Sequence, residues 1–258
     1  REDEARHRPG GRLEATADHD PRDEDEHPAE HHGPRVARLD VRRKPAAHVR
    51  FPATSNEGGA TVRYGRVLVV GAGQMGSGIA QVVAASGRHV LLHDPAPGAV
   101  ERALGGMRTS LGKLVAKGAE LDVDDVERRV EPVDGLADAE LVIEAIVEDA
   151  SVKEELFRRA DATLPADAVL ASNTSSISIT RIAAATGRPG RVVGMHFFNP
   201  VPLMRAVEVI RGLETDDDVA AAIVELAREL GKTPALIRDV PGFAANRVLM
   251  PLLAEAIR

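Results

Sequence analysis

Residues 66–94 of this chain read RVLVVGAGQMGSGIAQVVAASGRHVLLHD and determine the fold that the rest of the sequence follows. The stretch begins with a run of Val and Leu, which is typical of a strand buried on both faces. The glycines Gly71, Gly73 and Gly76 follow in G-x-G-x-x-G spacing, and after them the pattern continues as a helix. A second apolar run ends at Asp94. The order strand, glycine-rich turn, helix, strand predicts a βαβ unit.

The glycines and the acid of this unit have separate physical roles. Gly71 permits a tight turn, Gly73 leaves room for a pyrophosphate at the backbone, and Gly76 lets the helix pack closely on the sheet. The helix N-terminus offers unpaired N–H groups and a partial positive charge to that pyrophosphate. Asp94 comes 23 residues after Gly71, where a carboxylate binds the adenosine ribose and repels a 2′-phosphate. Because Pro95 rather than arginine follows, the unit is predicted to bind NAD rather than NADP; the alternative is a structural turn.

Composition narrows the classes of protein to which the chain can belong. Of its 258 residues 43% are hydrophobic, which is enough for a core, and 2% are aromatic, so the core is expected to be aliphatic. The lack of cysteine excludes a disulfide framework, a thiolate zinc site and a cysteine nucleophile, and fits a reducing, cytoplasmic compartment. No metal site is predicted. The net charge of −7 argues against nucleic acid as a partner. No apolar run approaches about 18 residues, which argues against a membrane span.

Residues 1–62 differ from the rest of the chain. They carry dense charges of both signs, many prolines and glycines, and no apolar periodicity. Such a segment cannot bury enough apolar surface to offset its chain entropy, so we predict a disordered charged tail. His27, His31 and His32 lie among acids, and a solvated tail is favoured there over a metal site.

Strand and helix patterns alternate between residues 65 and 241. This alternation predicts a doubly wound, mostly parallel sheet with right-handed crossovers, the Rossmann-type α/β architecture. After the fifth predicted strand, an extended stretch at residues 203–210 follows too soon for a helical crossover, so local antiparallel pairing is expected. We therefore assign residues 65–241 to one NAD-binding domain.

Residues 242–258 are predicted to form a new, strongly apolar helix after a break in the chain. Pro241 and Gly242 break the chain, and the residues FAANRVLMPLLAEAIR that follow form a strongly apolar helical pattern. A helix this apolar needs a surface to bury against, and no later element provides one. We expect the chain to be truncated at this end.

Polar clusters lie at three predicted strand ends, where ligands bind in such sheets. They are residues 172–175 (SNTS), His196 with Asn199, and Glu208 on the following strand. A histidine is suited to remove a proton from an alcohol, since its unperturbed pKa is about 6.5. Twelve residues separate His196 from Glu208, enough for a turn and a return strand that bring carboxylate and imidazole together. The alternative is a histidine with a purely structural role.

Taken together, the motifs of residues 66–258 resemble the L-3-hydroxyacyl-CoA dehydrogenase family, including 3-hydroxybutyryl-CoA dehydrogenases. The resemblance is carried by VGAGQMGSGIAQ, VIEAIVED, ASNTSS, GMHFFNPVPLM, VEVI and DVPGFAANRVL. It implies an N-terminal Rossmann domain and a C-terminal all-helical domain used for dimerisation and closure of the site. Residues 242–258 would then be the first helix of that second domain, truncated here, and the full-length protein would be a homodimer.

The resemblance also implies residue roles. His196 matches the general base and Glu208 its carboxylate partner, while Ser175 and Asn246 match residues that contact the substrate oxygen. For Glu148 and Lys153, a solvated helix start would be the interpretation without the resemblance. The predicted NAD-contacting residues are Gly71, Gly73, Gln74, Met75, Gly76, Asp94, Ala145, Glu148, Lys153, Ser175 and Asn199. Of these, Asn199 matches an asparagine that lies near the nicotinamide in the family.

The implied activity is NAD-dependent oxidation of a short-chain L-3-hydroxyacyl-CoA to the 3-ketoacyl-CoA, in fatty-acid or butanoate metabolism, with an acyl-CoA as substrate. The alternatives are a related dehydrogenase of a free 3-hydroxy acid and a catalytically silent NAD-binding module. The segment between Asp94 and Glu140 lacks an obvious lysine-rich hairpin. Contacts to CoA are therefore not assigned.

Overall fold

A computed structural model describes residues 64–258, so the tail predicted for residues 1–62 lies outside the described part of the chain. The strands are β1 (Arg66–Val70), β2 (His89–His93), β3 (Val130–Pro132), β4 (Leu141–Glu144), β5 (Val169–Ser172), β6 (Val192–Phe197), β7 (Ala206–Arg211) and β8 (Thr233–Arg238). The helices are α1 (Gln74–Ala85), α2 (Ala99–Val115), α3 (Val123–Arg128), α4 (Ala150–Thr163), α5 (Ile179–Ala183), α6 (Asp217–Glu229) and α7 (Ala245–Ile257), with a 3-10 turn at Pro189–Arg191.

All of these strands form one sheet in the order β3-β2-β1-β4-β5-β6-β7-β8. The pairs are parallel except for β6 and β7, which run antiparallel. The predicted doubly wound, mostly parallel sheet and its local antiparallel pair are therefore confirmed. The strand order reverses beside β1, and ligands of such sheets bind at this switch point, outside the carboxyl ends of the strands.

Side chains of β1 show why its sequence is continuously apolar. Successive residues of a strand point to opposite faces of the sheet. Val67 and Val69 belong to a buried cluster with residues of α1, α2 and α6, whereas Leu68 and Val70 belong to a second cluster with residues of α4 and α5. Helices thus cover both faces of the sheet, so each position of the strand must be apolar.

One predicted boundary differs from the structure, and one strand was not predicted. The strand expected at residues 203–210 begins at Ala206, because residues 201–203 form a turn. Strand β3 was not predicted: it has only 3 residues and ends at Pro132, which is tolerated because β3 lies at an edge of the sheet.

The apolar helix predicted after the Pro-Gly break is α7. Gly242 has a φ of 77°, and Phe243, which is buried, follows it with a φ of 48°. None of the residues of α7 is buried, and Leu252 and Ile257 are 64% and 86% exposed. No helix within residues 64–258 is long and apolar enough to cross a membrane.

Candidate active site

The glycine-rich turn between β1 and α1 has the geometry that its spacing predicts. Gly71 has a φ of 103°, and a Cβ there would lie 2.5 Å from the carbonyl oxygen of Ala145. A Cβ on Gly76 would lie 1.7 Å from the carbonyl oxygen of Gly71, so the start of α1 packs directly on the turn. A Cβ on Gly73, in contrast, would meet nothing within 4 Å. No protein atom therefore requires glycine at position 73, and the space beside it is open to a ligand.

A cavity of about 1060 Å³ opens over this turn. It is lined by the turn itself, by the chain that follows β4 and by residues of α4, and its lining surface is mostly apolar. Among the predicted NAD-contacting residues, those that line it are Gly71, Gly73, Gln74, Met75, Asp94 and Ala145.

Asp94 is fixed at the mouth of this cavity by the backbone. Its Oδ2 accepts a hydrogen bond of 2.8 Å from the N–H of Ala72, in the middle of the glycine-rich turn, and its Oδ1 accepts one of 2.9 Å from the N–H of Ala96. Each carboxylate oxygen has a second lone pair. The group can therefore be held rigidly and still accept hydrogen bonds from a ribose.

His196 and Glu208 form a buried pair at the side of the sheet where β1 ends and the glycine-rich turn begins. The antiparallel register sets them directly opposite each other on β6 and β7, so their side chains share one face. Nδ1 of His196 lies 2.8 Å from Oε2 of Glu208, and the two residues are 8% and 5% exposed. A proton on Nδ1 is donated to the carboxylate, which leaves Nε2 as the proton-accepting nitrogen.

The second oxygen of Glu208 binds the start of α7. Oε1 accepts hydrogen bonds from the N–H groups of Ala244 and Ala245, at 3.0 and 2.8 Å. The side chain of Asn246 donates to the carbonyl oxygen of Ser175 at 3.0 Å. The beginning of α7 is thereby attached both to the carboxylate of the pair and to the loop after β5.

Glu148 organises that loop. Its Oε1 accepts hydrogen bonds from the hydroxyl of Thr174 at 2.6 Å and from the N–H of Ser175 at 2.8 Å. Burial acts to raise the pKa of the Glu148 carboxyl, but these hydrogen bonds and the charge of Lys153 outweigh it and hold the pKa below its usual value. Glu148 is therefore a carboxylate that anchors Ser175.

Lys153 lies in the interior rather than at a solvated helix start. It is 1% exposed, pairs with the fully buried Glu144, and has its Nζ 3.3 Å from Oε2 of Glu148. Glu144 also accepts hydrogen bonds from the hydroxyl of Ser172, at 2.6 Å, and from the N–H of Ile146, at 2.8 Å. Glu144 has no predicted role, although a glutamate that ends an otherwise apolar strand is a signal of one.

The structure thus joins most of the predicted site residues into two neighbouring groups. One is the cavity with the glycine-rich turn and Asp94. The other is a chain of contacts that runs through His196, Glu208, the start of α7, Asn246, Ser175, Glu148, Lys153 and Glu144. Asn199 is exposed on the connection between β6 and β7, three residues after His196. No group of histidines and carboxylates in the described residues could hold a metal ion.

Comparison with known proteins identifies the family. The model of "3-hydroxyacyl-CoA dehydrogenase, NAD binding domain" matches residues 66–240. A probable 3-hydroxybutyryl-CoA dehydrogenase of Deinococcus radiodurans is 50% identical over 194 residues, covering 74% of this chain and 70% of that protein. The mitochondrial hydroxyacyl-coenzyme A dehydrogenase of Homo sapiens is 43% identical over 203 residues, covering 74% of this chain and 65% of its own length.

Solved structures of similar proteins support the same family. The crystal structure of Mycobacterium tuberculosis FadB2 is similar with a TM-score of 0.72 and 44% identity, covering 76% of this chain and 72% of that one. The crystal structure of 3-hydroxybutyryl-CoA dehydrogenase from Escherichia coli is similar with a TM-score of 0.73 and 42% identity, covering 76% of this chain and 42% of that one. The chain belongs to the 3-hydroxyacyl-CoA dehydrogenase family, of which it contains the NAD-binding domain.

Proposed function

We propose that this protein oxidises the 3-hydroxyl group of an L-3-hydroxyacyl-CoA to a ketone, with NAD as the hydride acceptor. The relatives named 3-hydroxybutyryl-CoA dehydrogenase support a short acyl chain and a place in fatty-acid or butanoate metabolism. The observation that carries the proposal is the buried His196–Glu208 pair, which lies at the same edge of the sheet as the glycine-rich turn. This arrangement supports a base for the hydroxyl proton on the same side of the sheet as a turn that fits a dinucleotide.

The pair supports proton removal by general base catalysis. Nε2 of His196 takes the proton of the 3-hydroxyl group while the hydrogen on C3 leaves with its electron pair as hydride, so that a C–O double bond forms. NAD supplies the acceptor for that hydride. Glu208 stabilises the imidazolium and keeps the proton of the resting ring on Nδ1. Ser175 and Asn246, which are in contact, are proposed to bind the substrate oxygen.

The residues of the glycine-rich turn fit NAD. The open space at Gly73 suits a pyrophosphate, the start of α1 with Gln74 and Met75 offers N–H groups to it, and Asp94 suits the ribose hydroxyls. Ala145, Glu148, Lys153, Ser175 and Asn199 stay predicted contacts. Because Lys153 is buried behind Glu148, we expect it to act on the ligand chiefly through that carboxylate.

The remaining partner predictions concern the whole protein. We propose a homodimer for the full-length protein and a cytoplasmic location, with no nucleic acid and no membrane as partners. The exposed apolar residues of α7, among them Val248, Leu252 and Ile257, support a contact with further protein.

The test of the reaction compares acetoacetyl-CoA with free acetoacetate as oxidants of NADH, and measures NADH binding in parallel. Oxidation of NADH by acetoacetyl-CoA in preference to acetoacetate would support the proposal. Oxidation by acetoacetate alone would establish a free-acid dehydrogenase instead. Binding of NADH without turnover of either compound would establish an NAD-binding module and overturn the proposed activity for this chain.

A further inference from the structure

Lys232 is a buried cation that the proposed chemistry does not use. It lies between α6 and β8 and is 8% exposed. Its Nζ donates hydrogen bonds to two backbone carbonyl oxygens, those of Val201 and Met204, the second at 2.9 Å. Burial lowers the pKa of the Lys232 ammonium to about 8, and no carboxylate in the described part of the chain offsets that effect. Burying an ammonium without a carboxylate is costly, so its position needs a reason.

Both carbonyls belong to one turn, residues 200–204, in the connection between β6 and β7. The N–H groups of Leu203 and Met204 both donate to the carbonyl oxygen of Pro200, at 3.0 and 2.9 Å. The turn immediately follows Asn199 and lies between His196 and Glu208 in the sequence. The ammonium therefore fixes the backbone that joins the two members of the catalytic pair.

The same turn also packs on α1, the helix that begins at the glycine-rich turn. Val201 is 2% exposed, and a Cβ on Gly78 of α1 would lie 2.9 Å from its Cβ. The turn is thus in contact both with α1, through Val201, and with the ammonium of Lys232. Any shift of this turn would move Asn199 relative to the start of α1.

We propose that Lys232 is a positioning residue that sets the place of Asn199 beside the nicotinamide by clamping the turn at residues 200–204. The inference deepens the proposed function and rests on it. An apolar side chain of the same length would fill the same space, but it would leave two carbonyl oxygens without their donor. The turn could then settle in more than one arrangement.

The test uses Lys232→Met, which keeps the apolar stem of the side chain and removes the ammonium. Displacement of a positioning group by about 1 Å can cost up to about a hundredfold in rate, so we expect kcat with acetoacetyl-CoA to fall by about tenfold or more. We expect the Kd of NADH to change by less than about threefold, because the pyrophosphate and adenosine bind at the glycine-rich turn. Lys113→Met, on the exposed face of α2, is the matched control and should change neither quantity.

A double-mutant cycle separates positioning from general loosening. If Lys232 acts through Asn199, the effects of Lys232→Met and Asn199→Ala on kcat are not additive, and the double variant is little worse than Asn199→Ala alone. Additive losses, or an unchanged kcat in folded Lys232→Met, would overturn the proposal. Lys232→Arg, which keeps a cation, should recover part of the lost kcat.

Amide hydrogen exchange tests the clamp without any turnover. Lys232→Met should speed exchange at Leu203 and Met204, whose N–H groups close the turn, and leave the amides of β1 unchanged. Unchanged exchange at Leu203 and Met204 would overturn the clamp. If the wild-type chain does not oxidise NADH at all, the proposed function fails, while this comparison of exchange still decides whether Lys232 holds the turn.

Discussion

His196 and Glu208 face each other across the antiparallel strands β6 and β7, and the carboxylate holds the imidazole with one oxygen and the start of α7 with the other. A single side chain thus orients the proposed base and fixes the segment that carries Asn246. We infer that the position of α7 and the orientation of His196 are coupled through this carboxylate.

Replacing Glu208 by Gln should therefore lower kcat strongly, while the protein stays folded. The amide removes the negative charge that stabilises the imidazolium and can favour the wrong tautomer; in a comparable pair the loss is about 10⁴-fold, and we expect at least about a hundredfold. The measurement is kcat with acetoacetyl-CoA and NADH. Glu131→Gln is the control, since the carboxylate of Glu131 also pairs with a histidine, His89, but both side chains are exposed and lie on β2 and β3. Equal activity of the two variants would contradict the role of Glu208.

Gly73→Ala and Gly76→Ala should fail in different ways. A Cβ at position 73 meets no protein atom within 4 Å, so we expect an unfolding free energy within about 0.5 kcal/mol of the wild type and at least about tenfold weaker NADH binding. A Cβ at position 76 would lie 1.7 Å from a backbone oxygen, so that variant should lose stability as well. Denaturant unfolding and NADH titration measure the two quantities. Wild-type affinity in Gly73→Ala would contradict the placement of the pyrophosphate.

Glu144→Gln should destabilise the fold strongly. The variant leaves the interior ammonium of Lys153 with only the more distant carboxylate of Glu148, and breaking a buried pair in this way costs about 3 to 5 kcal/mol. Glu155→Gln on the same helix as Lys153 breaks an exposed pair with Arg158 and should cost less than about 0.5 kcal/mol. Urea unfolding of both variants is the measurement. Similar losses of unfolding free energy in the two variants would contradict a stabilising role of the buried Glu144–Lys153 pair.

The stability of the wild type relative to Lys232→Met should depend on pH in the alkaline range. Burial lowers the pKa of Lys232 from 10.5 to about 8, so the folded chain binds this proton less tightly than the unfolded chain. The unfolding free energy of the wild type should therefore rise, relative to the variant, as the pH increases from about 8 to 10.5, and the difference should be flat below pH 8. The full shift corresponds to at most about 3 kcal/mol. A difference that stays constant across this range would contradict the burial of an unpaired ammonium.

The parts of the fold that the sequence predicted are those with a repeating pattern. The first βαβ unit follows from alternating apolar runs and glycine spacing, and the contact between His196 and Glu208 follows from the short connection that separates them. Strand β3 and the turn at residues 201–203 have no such pattern. The glutamate that ends the apolar strand β4 was a signal of an unusual position, but its partner Lys153 could not be predicted, and neither could the carbonyl oxygens that Lys232 binds, because sequence spacing does not show which groups meet in the folded chain.

The role of His196 as the base is tested most directly by the rate of NADH oxidation by acetoacetyl-CoA in His196→Gln and in His89→Gln, each compared with the wild type. His89 is a matched control because its Nε2 lies 3.2 Å from Glu131 in a similar histidine–carboxylate pair, which is exposed at the start of β2. We expect His196→Gln to lose at least about a hundredfold in kcat while NADH binding is kept, and His89→Gln to keep the wild-type rate. Wild-type turnover in His196→Gln, with NADH still bound, would contradict the assignment of His196 as the base.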